Sequence, residues 1–330
     1  MKEVNIHTIP EIEAARDKLG DLVRRTPVWQ WKSHKKDEIL GADTRLHLKL
    51  ELFQYGGSFK CRGSLLNMFE FSQEQLKRGV TAVSAGNHAI SVAYAAAKME
   101  TTAKVVMPAS ANPIKIQRCK ELGAEVALVE NVHIAFERVK EIEENEGRAL
   151  IHPFEGTQTA LGTATVGLEL CQQVETPDAV IVPVGGGGLI AGIASCIKQM
   201  DENIQVVGVE PEGADSMSRS LKAGKPQEIE AVNTIADSLG APYALPYSFA
   251  LCRQFVDEVV TITDQQMAKT MQLMFDEMKL AVEPAAASAL AALRYQLLPA
   301  LKNKKIGIIV CGTNIDIDTY YENINRFTDN

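Results

Sequence analysis

The stretch Gly56-Gly57-Ser58-Phe59-Lys60-Cys61-Arg62-Gly63 holds the residue best suited to covalent chemistry, Lys60. It follows a Gly-Gly-Ser-Phe turn and precedes an apolar run of Leu65, Leu66, Met68 and Phe69. An isolated lysine commonly lays its stem on apolar surface and keeps its ammonium in water. Here the residues before it (Leu46, Leu48, Leu50) alternate like a strand and those after it repeat like a helix, which puts Lys60 at a helix start. The positive end of a helix and partial burial both disfavour the ammonium and lower its pKa. A neutral amine in such a place can attack a carbonyl and form a Schiff base.

Three further stretches offer complementary chemistry. Val180 to Gly192 reads as strand, loop and helix, with Gly185, Gly186, Gly187 and Gly188 in succession at the loop. Four glycines cost much backbone entropy, and a Cβ-free loop at a helix start lets several N–H groups converge on one phosphate. The spacing fits neither a P-loop nor a GxGxxG fingerprint, so one phosphate suits it better than a pyrophosphate. Ser84-Ala85-Gly86-Asn87-His88 is another strand-to-helix turn. Its free N–H groups suit a carboxylate, although Ser or Asn there also serves as a plain helix cap. Cys311-Gly312-Thr313-Asn314 ends the last apolar strand, at the carboxyl edge where α/β proteins bind ligands. A thiol there can face a ring nitrogen or simply fill core space.

Positioning these groups takes an alternation of short strands and helices. The pattern predicts helices over Pro10–Arg25, Lys60–Arg78, Asn87–Met99, Pro113–Leu122, Val132–Asn145 and Ala160–Val174. Further helices are expected after Gly188, over Ser216–Leu221, over Gln265–Leu280 with Asp264 as N-cap, and from Pro284 to about Leu298. Strands are predicted at Leu46–Leu50, Val80–Val83, Ala103–Met107, Glu125–Val129, Leu150–Phe154, Ala179–Val182, Ile204–Val209, Glu258–Thr263 and Lys305–Val310. Gly224 to Tyr247, rich in Gly, Pro and polar residues, reads as a long surface excursion. Such alternation predicts an α/β fold with two lobes, each a parallel or mixed sheet flanked by helices. The expected division is a large cofactor-binding domain, 1–53 with 151–330, and a nested smaller domain, 54–150, that carries the Ser84–His88 turn.

The chain has 330 residues and a net charge of -8, which argues against a nucleic-acid or anionic-membrane surface. Met1 to Asn5 lack the apolar core of a leader peptide, and no apolar run reaches the ~18 residues of a spanning helix. The six cysteines show no CxxC pair or His/Cys ligand spacing and read as reduced thiols of a cytoplasmic protein.

Together these stretches resemble the fold type II, or tryptophan-synthase-β-like, pyridoxal-phosphate enzymes, within which the chain is most similar to serine/threonine dehydratases and serine racemases. The resemblance runs from about Thr26 to Asp318. It implies that Lys60, in Ser58-Phe59-Lys60-Cys61-Arg62-Gly63, carries pyridoxal 5'-phosphate as an internal aldimine. It further implies that Gly185–Gly188 hold the phosphate, that Phe59 and Asn87 also contact the cofactor, and that Cys311 stands beside the pyridine nitrogen. Ser84, Ala85, Asn87 and His88 are the implied substrate contacts. The implied activity is dehydration of L-threonine or L-serine to a 2-oxo acid and ammonia, in a homodimer or other homo-oligomer. Racemases of this group place a serine after the residue matching Ser84, to act opposite the lysine, whereas this chain has Ala85; dehydration is therefore favoured over racemisation. A cofactor- or phosphate-binding protein without catalysis is the reading from another class. The turn with Glu210, Ala214 and Ser216 resembles the family's cation site; serine where divalent-ion racemases carry a carboxylate suits a monovalent ion such as K+. The lysine–threonine pair that some racemases use near bound nucleotide stands here as Tyr55-Gly56, which argues against nucleotide activation.

Overall fold

A computed structural model describes residues 4–327, with the side chains of Val132 and His133 left aside; Met1 to Glu3, part of the segment inspected for a leader, lie outside the described residues. Ten strands form two sheets. They are β1 (Val28–Trp31), β2 (Arg45–Lys49), β3 (Val80–Val83), β4 (Ala103–Pro108), β5 (Glu125–Val129), β6 (Ala149–Leu150), β7 (Ala179–Pro183), β8 (Gln205–Pro211), β9 (Glu258–Ile262) and β10 (Lys305–Ile309). The six-stranded sheet runs β1-β2-β10-β7-β8-β9 and the four-stranded sheet runs β5-β4-β3-β6. All neighbours are parallel except β1 and β2. Strands buried on both faces must be apolar throughout, and β7, Ala-Val-Ile-Val-Pro, is buried at every position.

The larger core lies on the six-stranded sheet, with Leu48, Ile181, Val207 and Ile308 meeting Leu290 of the alanine-rich helix Pro284–Ala292. The second joins Val80, Val105 and Ala89 to Leu65 and Leu66, and continues into Ile12, Leu161 and Cys196. Helix Lys60–Phe69 is thus packed between the two sheets. Among the described residues no helix is long and apolar enough to cross a membrane, and all six cysteines are free.

Several local expectations need correction. The helix expected over Lys60–Arg78 breaks into Lys60–Phe69 and Gln73–Arg78, because Ser72 caps the second piece through Gln75. The strand expected at Leu150–Phe154 is confined to Ala149–Leu150, since Pro153 cannot donate to a ladder. Thr263, not Asp264, is the N-cap of helix Asp264–Met278; its hydroxyl accepts from Gln266 N, while Asp264 instead accepts from Thr234 and Ile235. The segment from Gly224 to Tyr247 is a surface excursion only in part: 224–226 and 230–233 are exposed, but Ile229, Ala236, Leu239 and Ala241 are buried. Strand β1 and helices His34–Leu40, Pro246–Phe255 and Ile317–Asn325 were not foreseen.

Candidate active site

Gly56 and Gly57, at φ 74° and 73°, bend the chain so that Ser58 pairs antiparallel with Gly312. Phe59 N donates to Cys311 O at 3.4 Å and Thr313 N to Gly57 O at 3.1 Å. The turn that presents Lys60 is therefore clamped to the end of β10. The Lys60 ammonium donates to the Pro153 carbonyl at 2.5 Å and lies 5.2 Å from the centre of the Phe59 ring. Burial lowers its pKa from 10.5 to about 8, with the Cys311 sulfur opposing. A crevice beside it is lined by His88, His152, Pro153 and Thr159.

Helix Lys60–Phe69 is fixed from below by a buried charge network. Arg62 donates to Glu51 at 3.0 and 2.9 Å and to Glu169 at 2.9 Å from each terminal nitrogen. Lys49 reaches Glu169 at 2.7 Å and Arg16 reaches it at 2.6 Å. Burial alone would push Arg62 down, but the two carboxylates hold it above its ordinary value. Burial would raise Glu169, yet Arg62 and Lys49 draw it down to about 2. Arg62 is two positions from Lys60, so this network sets the height at which the amine stands.

The glycine loop faces the same place. Gly187 has φ 89°, which only glycine adopts readily, and helix Gly188–Met200 starts directly after it. A Cβ on Gly186 would come within 2.3 Å of the Phe154 ring, next in sequence to the Pro153 carbonyl that Lys60 touches. The N–H groups of this first turn have no acceptor within the helix. The residues fit pyridoxal phosphate: an amine of lowered pKa, a side-chain-free anion cradle, and Cys311, a 4 % exposed thiol that burial keeps protonated.

In the Ser84–His88 turn, Ser84 Oγ accepts from Gly86 N at 3.0 Å. Asn87 donates to the Glu283 carboxylate at 3.0 and 2.9 Å and accepts from Asn314 Nδ2 at 2.6 Å. Glu283 also accepts from Ser238 Oγ and from Asn314 N, both at 2.6 Å. Lys115 pairs with Asp237 at 2.6 Å; burial opposes its charge, but Glu283 and Asp237 outweigh that and raise its pKa. His88 is turned away to the Ile151 carbonyl at 2.8 Å, and burial and the Lys60 charge lower its pKa to about 3. His152, through Nδ1, accepts from Phe154 N and Glu155 N, and burial lowers it to about 4. Glu283, Ser238 and Lys115 were not anticipated, and Asn314 only as the last residue of the Cys311–Asn314 stretch; for Glu283 the sequence signal was a carboxylate in the apolar run Ala281-Val282-Glu283-Pro284.

Glu210, Ala214 and Ser216, all buried, lie on the stretch that leads from β8 into helix Ser216–Ala223. Glu210 accepts from Met217 N and Ser218 N at 2.8 Å each, and burial raises its pKa to about 7. Ser216 Oγ donates to the Ala241 carbonyl at 3.1 Å. Met217 touches the space beside Gly187. Among the described residues no group of three His, Cys, Asp or Glu side chains is disposed to hold a metal.

Residues 19–312 match the family described as pyridoxal-phosphate dependent enzyme. The chain is 46% identical to phenylserine dehydratase of Ralstonia pickettii over 97% of its own length and 98% of that protein's. It is 36% identical to L-threonine ammonia-lyase of Thermotoga maritima over 97% of its length and 78% of that protein's. The solved structure of maize serine racemase superposes with a TM-score of 0.89 at 35% identity, covering 98% of each chain. With a buried lysine of lowered pKa at the crevice and this family match over most of its length, the chain belongs to the fold type II pyridoxal-phosphate dependent enzymes, in the branch of dehydratases and racemases.

Proposed function

We propose that the protein is a dehydratase (ammonia-lyase) that converts a β-hydroxy amino acid, of the class of L-threonine and L-serine, to a 2-oxo acid and ammonia. The observation that carries this reading is Lys60, a buried amine held at about 8, in a chain that has alanine at position 85 of the Ser84–His88 turn. Bound in the cradle, pyridoxal phosphate supplies the electron sink that makes the α-proton removable. The Lys60 amine takes that proton, and the N–H groups of the Ser84–His88 turn hold the substrate carboxylate. Asn87, fixed by Glu283 and Asn314, orients what lies between the two sheets, and Cys311 offers a neutral thiol to a ring nitrogen. Loss of the β-hydroxyl as water leaves an enamine, which tautomerises and hydrolyses to the 2-oxo acid and ammonia. In this reading residues 54–150 move as one body against 1–53 and 151–330, and the turn Glu210–Ser216 seats a monovalent cation. A homodimer or other homo-oligomer is part of the proposal, checked by light scattering.

Racemisation is the second reading, supported by Ser84, whose hydroxyl lies in the carboxylate turn, and by 35% identity to rice serine racemase. Alanine at 85 cannot carry a proton, so a second acid–base must come from Ser84. The test is an oxo-acid assay with chiral chromatography of the residual amino acid. The expected result is 2-oxo acid from L-threonine or L-serine with the D-isomer a minor product, and more racemisation in Ala85→Ser. Faster formation of D-serine than of pyruvate by the unmodified enzyme would overturn the reading.

A further inference from the structure

His152, in the wall of the crevice beside Lys60, begins a row of rings. His152 meets Phe154 edge-on at 4.7 Å, Phe154 meets Tyr243 at 6.1 Å, and Tyr243 meets Phe136 at 6.4 Å. Only 6% of the chain is Phe, Trp or Tyr, so three successive ring contacts leading away from the amine are a local concentration. Phe154 follows the carbonyl that Lys60 touches and lies on Gly186. Phe136 belongs to helix Val132–Glu146, which packs on the four-stranded sheet. Tyr243 pairs with Glu228 in the segment that lines the six-stranded sheet. Both outer rings are only partly buried, which leaves ring surface for a ligand. Rings so arranged suit a flat apolar side chain, which a β-hydrogen or β-methyl would not supply.

We propose that the substrate is a β-hydroxy amino acid bearing an aryl group on Cβ, and that Tyr243 and Phe136 are specificity-determining residues that hold this ring between the two sheets; the proposal rests on the dehydratase reading for its chemistry. The Cα–H and Cβ–O bonds break, water leaves, and hydrolysis of the resulting imine takes up one water. The net change is 3-arylserine to arylpyruvate and ammonia, with no external oxidant or reductant.

Aromatic pairs contribute beyond area burial, so the loss of one outer ring is read as roughly a 10-fold change or more. The holoenzyme is assayed with 3-phenylserine, L-threonine and L-serine, as the parent and as Tyr243→Ala, Phe136→Ala and Tyr243→Phe. The parent should have kcat/KM at least about 10-fold higher for 3-phenylserine than for L-threonine. Each alanine variant should lose that preference, chiefly through KM, with threonine turnover changed less than about 3-fold, and Tyr243→Phe should keep it. Binding of L-phenylalanine and L-alanine by calorimetry tests the wall without elimination. L-phenylalanine should bind more tightly, and Tyr243→Ala should erase the difference. Turnover of threonine or serine with no gain for 3-phenylserine overturns the aryl proposal and leaves the dehydratase reading standing. Tighter phenylalanine binding without oxo acid from any substrate sinks the dehydratase reading and leaves the aryl wall. Equal binding of the two analogues overturns the wall whatever the reaction.

Discussion

Removing the Lys60 amine should abolish turnover and also stabilise the cofactor-free protein. Holding a group whose ordinary value is 10.5 at about 8 costs about 3 kcal/mol at neutral pH, since each tenfold change in proton affinity is ~1.4 kcal/mol. Lys60→Met removes that cost, keeps much of the apolar stem, and forfeits one hydrogen bond to the Pro153 carbonyl, about 1 kcal/mol. The net expectation is a gain of about 2 kcal/mol. The sign of the pH dependence is specific. Below about 8 the parent bears the full cost, because folding holds the amine below its unfolded value. Between about 8 and 10.5 the unfolded chain binds more protons than the folded one, so the parent gains stability as pH rises and the variant does not. Urea unfolding of both apo-proteins from pH 7 to 10.5 measures this. A variant no more stable than the parent at pH 7, or an advantage that does not shrink with rising pH, would refute the burial argument.

Gly186→Ala should weaken pyridoxal-phosphate binding by about 10–100-fold, from the loss of one or more charge-assisted N–H contacts, and should also lower the apo melting temperature, because its Cβ displaces the Phe154 ring; titration of apo-enzyme by absorbance and a thermal melt read these out. Arg62→Leu strips Glu51 of its buried cation and leaves Glu169 only Lys49 and Arg16, and should cost about 3–5 kcal/mol in urea unfolding. Glu169, held at about 2 against 4.5 unfolded, gives the parent a contribution present above 4.5 and lost as pH falls toward 2, and that slope should flatten in the variant. Activity should be higher in potassium than in a bulky organic cation, and Glu210→Gln should abolish the difference; equal activity of the parent in both salts removes the cation from the turn.

What was legible in the sequence was local. Strand alternation, the lysine turn, the tetraglycine loop and the small-residue turn at Ser84 each sit within a few consecutive residues. In the structure Phe59, Lys60 and His88 line one crevice, and Gly186 lies against Phe154, next to its Pro153 wall. What was illegible is the set of contacts between distant segments. Glu169 lies 107 positions from Arg62, and charged residues in a sequence read as surface unless a partner is known. Glu283 and Asn314 meet Asn87 only because the last strand lies beside the lysine turn. Tyr243 was read as part of a loop rich in Gly and Pro, whereas side-chain packing of Ala236 and Leu239 draws that loop into the core. Strand β1 was missed because Val-Trp-Gln-Trp is short and enters the sheet antiparallel at an edge.

The pairing of Ser58 with Gly312 bears on the order of assembly. The lysine turn is synthesised before the four-stranded sheet, but the strand end that clamps it emerges only after that sheet is complete. Contacts of such long sequence separation form late, because loop closure must come before they contribute. The four-stranded sheet, drawn wholly from residues 80–150, has all its strands while the ribosome is still working. The amine meets Cys311 only afterwards. Cofactor capture is thereby deferred until β10 has been made, and an interrupted chain that ends before β10 retains the lysine without the setting that makes it reactive.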